Sequence, residues 1–358
     1  MTVLVTSIEP STGKTAVALA LATAASERGR DVGYMKPVGT RLQSAVGKTL
    51  DEDPLLAREL LDLDAETHEM EPVVYSPTFV QEAIRGREDP DALAERVREG
   101  FDGLAAAHDG MVLEGGGTLT TGGIVGLTDR DLADLLDATV VLVATFEEPG
   151  DADDVLAAAD VLGDRLGGVL FNKVPDAAFD TLASDVVPFL EDRGVRVYGT
   201  VPRDDDLAGV TVADLGSEIG AEVLTSEAPT DRRVQRFVVG AMTANEALGQ
   251  LRRVRDAALV TGGDRSDILT AALEASGINC LVLTGGLRPP GAVLGRAESE
   301  GVPVLLVRTD TKTTIDRTEA VVSAGRTRDA ETVDRMGELL DDYADVDAML
   351  DAGADADP

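Results

Sequence analysis

The sequence predicts an α/β protein in which a mainly parallel sheet, covered by helices on both faces, is followed by a smaller α/β unit. β-branched runs alternate with longer helical runs along most of the chain, which is typical of parallel sheets. A Gly-Lys-Thr triplet separates the first strand from the first helix. The periodicity lapses at residues 225–235 and then resumes, and 358 residues suffice for two domains.

In the first unit, residues 2–7 predict a buried strand and residues 16–29 a helix that ends at Gly29. Further strands are predicted at residues 32–40, 110–117, 138–146, 166–174 and 195–202. Helices are predicted near residues 90–107, 129–137, 151–163, 179–193 and 211–224. This unit is expected to span residues 1–226.

The second unit is expected to span residues 232–326. Its strands are predicted at residues 236–242, 257–263, 279–286 and 302–308, and its helices near 243–253, 266–276, 290–300 and 312–324. Residues 327–358 predict a helix and then an acidic tail without Lys or Arg near its end, and we expect this tail to be partly disordered.

The formal net charge of −34 excludes a nucleic-acid backbone as partner, because the two would repel each other. The charge is interpreted either as a solubilising surface or as one suited to a halophilic cytoplasm, where about 1 M salt reduces the Debye length to about 3 Å. A single cysteine, Cys280, excludes an internal disulfide framework. No signal peptide or apolar run long enough to span a membrane is present, so we expect a cytoplasmic protein without a membrane partner.

The stretch TSIEPSTGKTAV (residues 6–17) has the last three residues of a phosphate-binding loop, Gly13, Lys14 and Thr15. Ile8 stands where the common template has its first glycine, and Pro10 lies inside the loop. The residues predicted to contact a nucleotide here are Glu9, Ser11, Thr12, Gly13, Lys14, Thr15 and Ala16. Lys14 would reach the β- and γ-phosphates. The alternative is a helix capped by Thr12, with an accidental lysine.

Hard oxygen ligands for Mg²⁺ are predicted from Thr15, Glu114 and Asp53. Glu114 ends a buried strand, and Gly116 and Gly117 after it would allow close approach of a ligand. Asp53 could equally be an ordinary solvated acid of an acidic chain.

Lys36 follows the second strand, at the edge of the sheet where open α/β proteins bind ligands, and is a candidate catalytic residue together with Lys14. The alternative for Lys36 is a surface lysine paired with nearby carboxylates. Asn172 and Lys173 follow a later strand and could contact the nucleotide, since an Asn amide can recognise a purine edge. A turn-forming asparagine remains the alternative.

In the second unit, Gly262, Gly263, Asp264 and Arg265 lie between a strand and a helix. Their backbone N–H groups and the Arg265 fork could hold a small anionic regulator. A tight turn with Asp264 or Ser266 capping the helix is the alternative.

The segments VTSIEPSTGKT, GYMKPVGT, MVLEGGG, FNKV and GTVP, in this order, resemble the dethiobiotin synthetase-like (BioD-like) branch of P-loop NTPases. FVVGAM, LVTGGDRSDI and CLVLTGG resemble a DRTGG domain. The two are joined in long phosphate acetyltransferases and in stand-alone proteins of the phosphotransacetylase family. The resemblance implies ATP and Mg²⁺ as cofactors, a homo-oligomer, and a regulatory ligand at the second domain.

The loop departs from that family in its substrate-facing part. The family's loop has five residues between its glycines, so Ser7 stands at the first glycine position, Glu9 replaces an aspartate and Pro10 replaces a substrate-contacting threonine. Lys14, Thr15, Lys36, Asp53 and Glu114 match phosphate, metal or substrate positions, and Thr40 matches a substrate hydroxyl position. The resemblance therefore implies that the triphosphate site is kept and the substrate is changed.

Three functions stay open at this point. The first is a Mg-ATP-binding regulatory protein linked to acetyl-CoA or acetate metabolism, without the acetyltransferase domain and so without that transfer activity. The second is an ATP-dependent ligase of the dethiobiotin synthetase or cobyrinic acid amidase type, which forms an acyl or carbamoyl phosphate. The third is a partner-binding subunit with a vestigial loop. Whether ATP is hydrolysed stays open as well.

Overall fold

The computed structural model describes residues 1–40, 42–45, 48–204, 207, 209–240, 249–324 and 329–352. Its contacts divide the chain into two compact units, Met1–Leu207 with Thr327–Pro358, and Ala208–Arg326.

A six-stranded parallel sheet forms the centre of the first unit. The strands of this unit are β1 (Thr2–Ser7), β2 (Val32–Met35), β3 (Val38–Gly39), β4 (Leu42–Ala45), β5 (Lys48–Asp51), β6 (Val73–Val74), β7 (Gly110–Glu114), β8 (Thr139–Ala144), β9 (Leu166–Val174) and β10 (Val197–Pro202). The order in the main sheet is β10-β9-β8-β1-β7-β2. Its central strands are fully buried, which is why they are continuous apolar runs in the sequence.

The helices of the first unit include α1 (Lys14–Glu27), α2 (Glu52–Leu60), α3 (Thr67–Met70), α4 (Pro77–Ile84), α5 (Pro90–Ala105), α6 (Asp129–Leu135), α7 (Ala152–Leu162), α8 (Asp176–Thr181) and α9 (Val187–Glu191). Helix α1 is alanine-rich and almost entirely buried. A π-helical turn, Leu182–Val186, joins α8 to α9 within the helix predicted at 179–193.

The second unit contains a five-stranded sheet of order β12-β17-β16-β15-β14. Its strands are β11 (Val210–Thr211), β12 (Glu222–Val223), β13 (Arg233–Val234), β14 (Arg236–Val239), β15 (Ala257–Gly262), β16 (Ile278–Thr284) and β17 (Val304–Leu306). Its helices include α10 (Val212–Glu218), α11 (Ser266–Leu273), α12 (Gly291–Ser299) and α13 (Thr311–Ala324). Strands β14 to β17 pair in parallel, and β12 adds antiparallel to β17. The predicted α/β class with a mainly parallel sheet and a smaller second domain is confirmed.

The division between the units lies earlier than the predicted boundary at residues 226–232. Residues 210–211 pair with 233–234, and residues 222–223 pair with β17, so this stretch belongs to the second unit. The helix predicted at 211–224 accordingly ends at Glu218. The helix predicted at 243–253 lies largely outside the described residues.

The chain returns to the first unit at its end. Helices α14 (Ala330–Tyr343) and α15 (Val346–Asp351) bury Val333, Met336 and Leu339 in the core of that unit. The sequence predicted a helix and an acidic tail here but not their burial, because the apolar stripe of residues 330–351 lies among many acids. Residues 353–358, the end of the predicted acidic tail, lie outside the described residues. Within the described part of the chain, no helix combines the length and apolar character that crossing a membrane requires.

Candidate functional site

The loop between β1 and α1 is held in a conformation that requires glycine at position 13. Gly13 has φ of 91°, and a Cβ atom there would lie 2.5 Å from Nδ2 of Asn172. Asn172 donates from Nδ2 to the Thr12 carbonyl at 2.8 Å, and Lys173 donates from Nζ to the Ser11 carbonyl at 2.6 Å. Two side chains at the end of β9 therefore hold the loop through hydrogen bonds to its carbonyl groups.

The Asn172 side chain hydrogen-bonds the loop backbone, a contact that the sequence did not predict. Its side chain is buried and bound to the loop backbone, because β9 ends directly beneath the loop. Lys173 braces Ser11 in the same way. Both side chains thus hydrogen-bond the loop backbone, and a contact of either with a nucleotide stays a prediction.

Lys14 and Thr15 begin helix α1 at the carboxyl edge of the sheet. Lys14 donates from Nζ to the Gly117 carbonyl at 2.6 Å. Thr15 donates from Oγ1 to Glu114 Oε1 at 2.6 Å, and its hydroxyl lies 3.4 Å from Asp53 Oδ2. The fold thus brings together the three residues predicted to bind a metal, although 99 residues separate Thr15 from Glu114.

Lys36 lies at the centre of a buried group of carboxylates. Its ammonium is 2.8 Å from Asp51 Oδ2, pairs with Asp53, and is 3.7 Å from Glu114 Oε1. Burial alone would lower the pKa of Lys36, but the three carboxylates together raise it above its ordinary value. Lys36 is therefore charged, and it is 1% exposed rather than on the surface.

Glu114 is shared between several donors. Besides Thr15, it accepts a hydrogen bond at Oε2 from the hydroxyl of Tyr34 at 2.6 Å. Burial raises the pKa of the Glu114 carboxyl, while Lys36 and Lys14 oppose that rise. Tyr34 carries no sequence signal for this role, because an aromatic residue in a buried strand is most simply a core residue.

The predicted substrate residues converge beside Lys14. Thr40 donates from its backbone N–H to Asp51 Oδ2 at 3.1 Å, and its hydroxyl hydrogen-bonds the Gly116 carbonyl. A Cβ atom at Gly116 would lie 2.4 Å from the Val38 carbonyl oxygen, so only glycine lets the two backbones approach this closely. Gly117 thus contacts the loop lysine directly, and Thr40 contacts Gly116, the residue before it.

Asp129 is a buried acid that the sequence analysis did not select. Its carboxylate accepts a hydrogen bond from the Thr6 hydroxyl. Burial raises its pKa to about 6, and Lys14 opposes part of that rise. A Cβ atom at Gly115 would lie 2.5 Å from Asp129 Oδ2, so the glycine run after Glu114 also makes room for this carboxyl. Acids are common in the first turn of a helix, so the sequence carries no signal for this buried carboxyl.

Glu9, the acid inside the loop, hydrogen-bonds the hydroxyl of Thr145 at the end of β8. The two residues line a cavity of about 540 Å³ that also contains Glu147, Glu148, Asp151 and Asp154. The altered part of the loop therefore faces an acidic cavity.

The donor set at Thr15, Asp53 and Glu114 fits Mg²⁺. All three offer hard oxygen atoms, and Mg²⁺ is usually held by one or two carboxylates together with phosphate oxygens and water. Among the described residues, no group of three or more His, Cys, Asp or Glu side chains is arranged to hold a metal ion. Thr15, Asp53 and Glu114 are thus the residues that could hold the metal.

The turn at Gly262–Arg265 in the second unit is tightly packed. A Cβ atom at Gly263 would lie 1.7 Å from the Leu287 carbonyl oxygen, so this glycine is required for the approach of two loops. Arg265 is the N-cap residue of α11, and its Nε lies 3.4 Å from Asp267 Oδ1. Arg265 makes no side-chain capping hydrogen bond, and the N-cap position falls on neither Asp264 nor Ser266, the two residues of the alternative interpretation.

Glu71 is a buried acid next to the carboxylate group, and it supports a pH-dependent prediction. Its Oε2 accepts from the Asp51 N–H at 3.0 Å, and burial raises its pKa to about 7 from 4.5. An acid with a raised folded-state pKa costs stability as the pH rises from the unfolded pKa to the folded one.

We therefore expect Glu71→Gln to have the same free energy of unfolding as wild type near pH 4.5. Near pH 8 its free energy of unfolding should be higher by about 2 kcal/mol. Urea denaturation of both proteins across this range would measure the difference. Glu59→Gln, at an exposed acid, should leave the free energy of unfolding nearly unchanged at every pH. A Glu71→Gln difference that does not change with pH would contradict the prediction.

Comparison with known proteins agrees with this architecture. The model of the AAA_26 family (AAA domain) matches residues 1–211, and that of the DRTGG domain matches residues 214–321. The chain is 27% identical over 315 residues to a phosphate acetyltransferase of Pseudomonas putida, covering 83% of this chain and 44% of the relative. It is 28% identical over 367 residues to that of Pseudomonas aeruginosa, covering 93% and 49%. The chain thus spans about half the length of these curated relatives.

Solved structures show weaker likenesses. A signal recognition particle receptor FtsY from Elizabethkingia anophelis in complex with GDP matches with a TM-score of 0.36 and 13% identity, covering 56% of each chain. The CBS and DRTGG domains of a Clostridium perfringens pyrophosphatase, complexed with the activator diadenosine tetraphosphate, match with a TM-score of 0.28 and 17% identity, covering 40% of this chain and 73% of that one. Scores at this level support no conclusion about function.

Proposed function

The chain belongs to the AAA_26 (AAA domain) family, and from that premise we propose that its first unit binds ATP together with Mg²⁺. The observation that carries the proposal is the convergence of Lys14, Thr15, Glu114 and Asp53 at one loop whose Gly13 is left-handed. A strand–loop–helix unit of this kind directs backbone N–H groups at a phosphate. The first unit is then a nucleotide site with its own metal ligands.

Each residue has a separate task in this proposal. Lys14 would contact the β- and γ-phosphates, and Thr15, Asp53 and Glu114 would hold the metal. The metal, when bound, would neutralise phosphate charge. Lys36 already offsets the carboxylates around it, which limits the repulsion between these acids and an incoming triphosphate.

Isothermal titration calorimetry with ATP tests this proposal, in Mg²⁺ and in excess EDTA. We expect binding at one site per chain, with affinity at least about tenfold higher in Mg²⁺. Titration with GTP in parallel tests the base preference. No heat of binding for either nucleotide in Mg²⁺ would refute the proposal.

We further propose that the DRTGG domain is a regulatory or sensor module and that the protein acts in acetyl-CoA or acetate metabolism. The support is the similarity to phosphate acetyltransferases over most of this chain. Acetyl-CoA and acetyl phosphate should then alter the ATP affinity, because two linked sites affect each other reciprocally. Identical ATP titrations with and without saturating amounts of both compounds would argue against this setting.

A ligase activity is the second candidate, and the convergence of Thr40, Gly116 and Gly117 beside Lys14 favours it. These residues would place a carboxylate or carbamate next to the γ-phosphate of ATP. Transfer of the γ-phosphoryl group to the substrate oxygen would give an acyl or carbamoyl phosphate and ADP. Trapping with hydroxylamine, with bicarbonate and a diamine as trial substrates, would detect that intermediate. ADP formation that does not respond to any added carboxylate would point to the regulatory function instead.

The net charge of −34 also supports the proposal of a salt-rich cytoplasm. Self-repulsion among 66 acidic and only 32 basic residues weakens the folded state, and salt screens it. We expect the midpoint of thermal unfolding to rise by about 10 °C or more between 0.1 M and 2 M KCl. Differential scanning calorimetry across this range would measure it, and a flat or falling midpoint would contradict the halophilic interpretation.

A further inference from the structure

A cavity of about 640 Å³ opens at the carboxyl ends of β16 and β17 in the second unit. Its walls come from the loop after β16, the loop after β17, helix α13 and the chain before β12. It does not include Gly262–Arg265, and it lies entirely within the second unit. The cavity is therefore separate from both sites discussed above.

Three arginines line this cavity: Arg288, Arg308 and Arg317. Glu222 is the single acid in the lining, and it accepts a hydrogen bond from Arg288 at 2.6 Å. Among the described residues, Arg308 and Arg317 have no carboxylate at ion-pair distance. In a chain whose acids outnumber its bases by 66 to 32, this local excess of positive charge is unusual.

The backbone around Arg308 is fixed by a pair of left-handed glycines. Gly285 and Gly286 have φ of 75° and 69°. Their N–H groups donate to the carbonyls of Thr309 at 2.8 Å and Val307 at 2.9 Å, so the loop after β16 is tied to both neighbours of Arg308. Arg308 therefore extends from a backbone that is already ordered, which reduces the entropy lost when a ligand binds.

The lining also limits the kind of ligand. No aromatic side chain lines the cavity, so it offers no aromatic surface on which a nucleobase could stack. Guanidinium groups form paired hydrogen bonds with phosphate oxygens, and several of them together suit a group with more than one negative charge. We propose that this cavity binds a small phosphorylated molecule with at least two negative charges, through Arg308 and Arg317 assisted by Arg288.

Inorganic pyrophosphate is the probe for this site, with malonate as a dianionic dicarboxylate for comparison. Titrations use the full chain carrying Lys14→Ala, so that the loop of the first unit contributes little to the binding. We expect pyrophosphate to bind and Arg308→Gln with Arg317→Gln to weaken it about 100-fold, because each charge-assisted contact is worth about a tenfold change. Arg296→Gln, a control in the same unit that removes a guanidinium paired with Glu300, should leave binding unchanged.

The outcomes separate this proposal from the nucleotide site. With Lys14 intact, the Arg308 and Arg317 variants should bind ATP as wild type does, and both should keep the wild-type unfolding temperature since these side chains are exposed. Equal loss of pyrophosphate binding in Arg296→Gln, or no loss in the double variant, would overturn the proposal. Tighter binding of malonate than of pyrophosphate would also overturn it, by making the ligand a carboxylate.

Discussion

Lys14→Ala is expected to abolish ATP binding. Lys14 is the cation that begins α1, and its ammonium reaches the Gly117 carbonyl at 2.6 Å, next to the residues assigned to the metal. Loss of the proposed charge-assisted hydrogen bonds from Lys14 to two phosphates should weaken ATP binding by about 100-fold or more. Calorimetric titration of ATP in Mg²⁺ would measure this against wild type.

Lys312→Ala is the matched control, because it removes an exposed lysine of the second unit. Lys14 also offsets the charge of Glu114 and Asp129, so the folded state of the variant must be confirmed by circular dichroism. Lys14→Arg keeps the charge and should retain part of the affinity. Equal ATP affinity in wild type and in a folded Lys14→Ala protein would contradict the proposal that this loop binds ATP.

The sequence was sufficient to predict the sheet and the loop because both depend on local patterns. Buried parallel strands are continuous apolar runs in the sequence. Gly13, Lys14 and Thr15 are consecutive residues at the start of the helix that follows the first strand. The chain's return to the first unit was missed for the opposite reason. Helix α14 is acidic overall, and only its packing against other elements shows that its apolar stripe is a core face.

In the candidate site, too, some residues could be predicted from the sequence and some contacts could not. Glu114 was selected because it ends a buried strand, and Asp53 because it matches a phosphate, metal or substrate position of the family that the chain resembles. The structure brings both to Thr15. A cation partner for the buried Glu114 was expected, but its identity could not be predicted because it depends on the fold placing Lys36 among these acids. The hydrogen bond of Asn172 to the Thr12 carbonyl could not be predicted either, because it depends on how closely the loop approaches the end of β9.

Lys36→Met is expected to destabilise the first unit by about 3–5 kcal/mol, since it leaves three buried carboxylates without their cation. For a unit of this size the midpoint of thermal unfolding should fall by about 10 °C. Lys312→Met, at an exposed lysine, should change it by less than about 2 °C. Scanning calorimetry at pH 7.5 would measure both, and an unchanged midpoint for Lys36→Met would contradict the prediction.

The pH and Mg²⁺ dependence of the same variant separates lost charge from lost packing. Without the ammonium, the buried carboxyls should take up protons in the folded state, so the destabilisation should shrink as the pH falls toward about 5. A dication bound between Asp53 and Glu114 would replace the missing charge, so Mg²⁺ should stabilise Lys36→Met more than wild type. Adding Asp51→Asn and Asp53→Asn to Lys36→Met should recover most of the loss and remove the Mg²⁺ effect. A loss that stays the same at every pH and Mg²⁺ concentration would mean that Lys36 acts through packing alone.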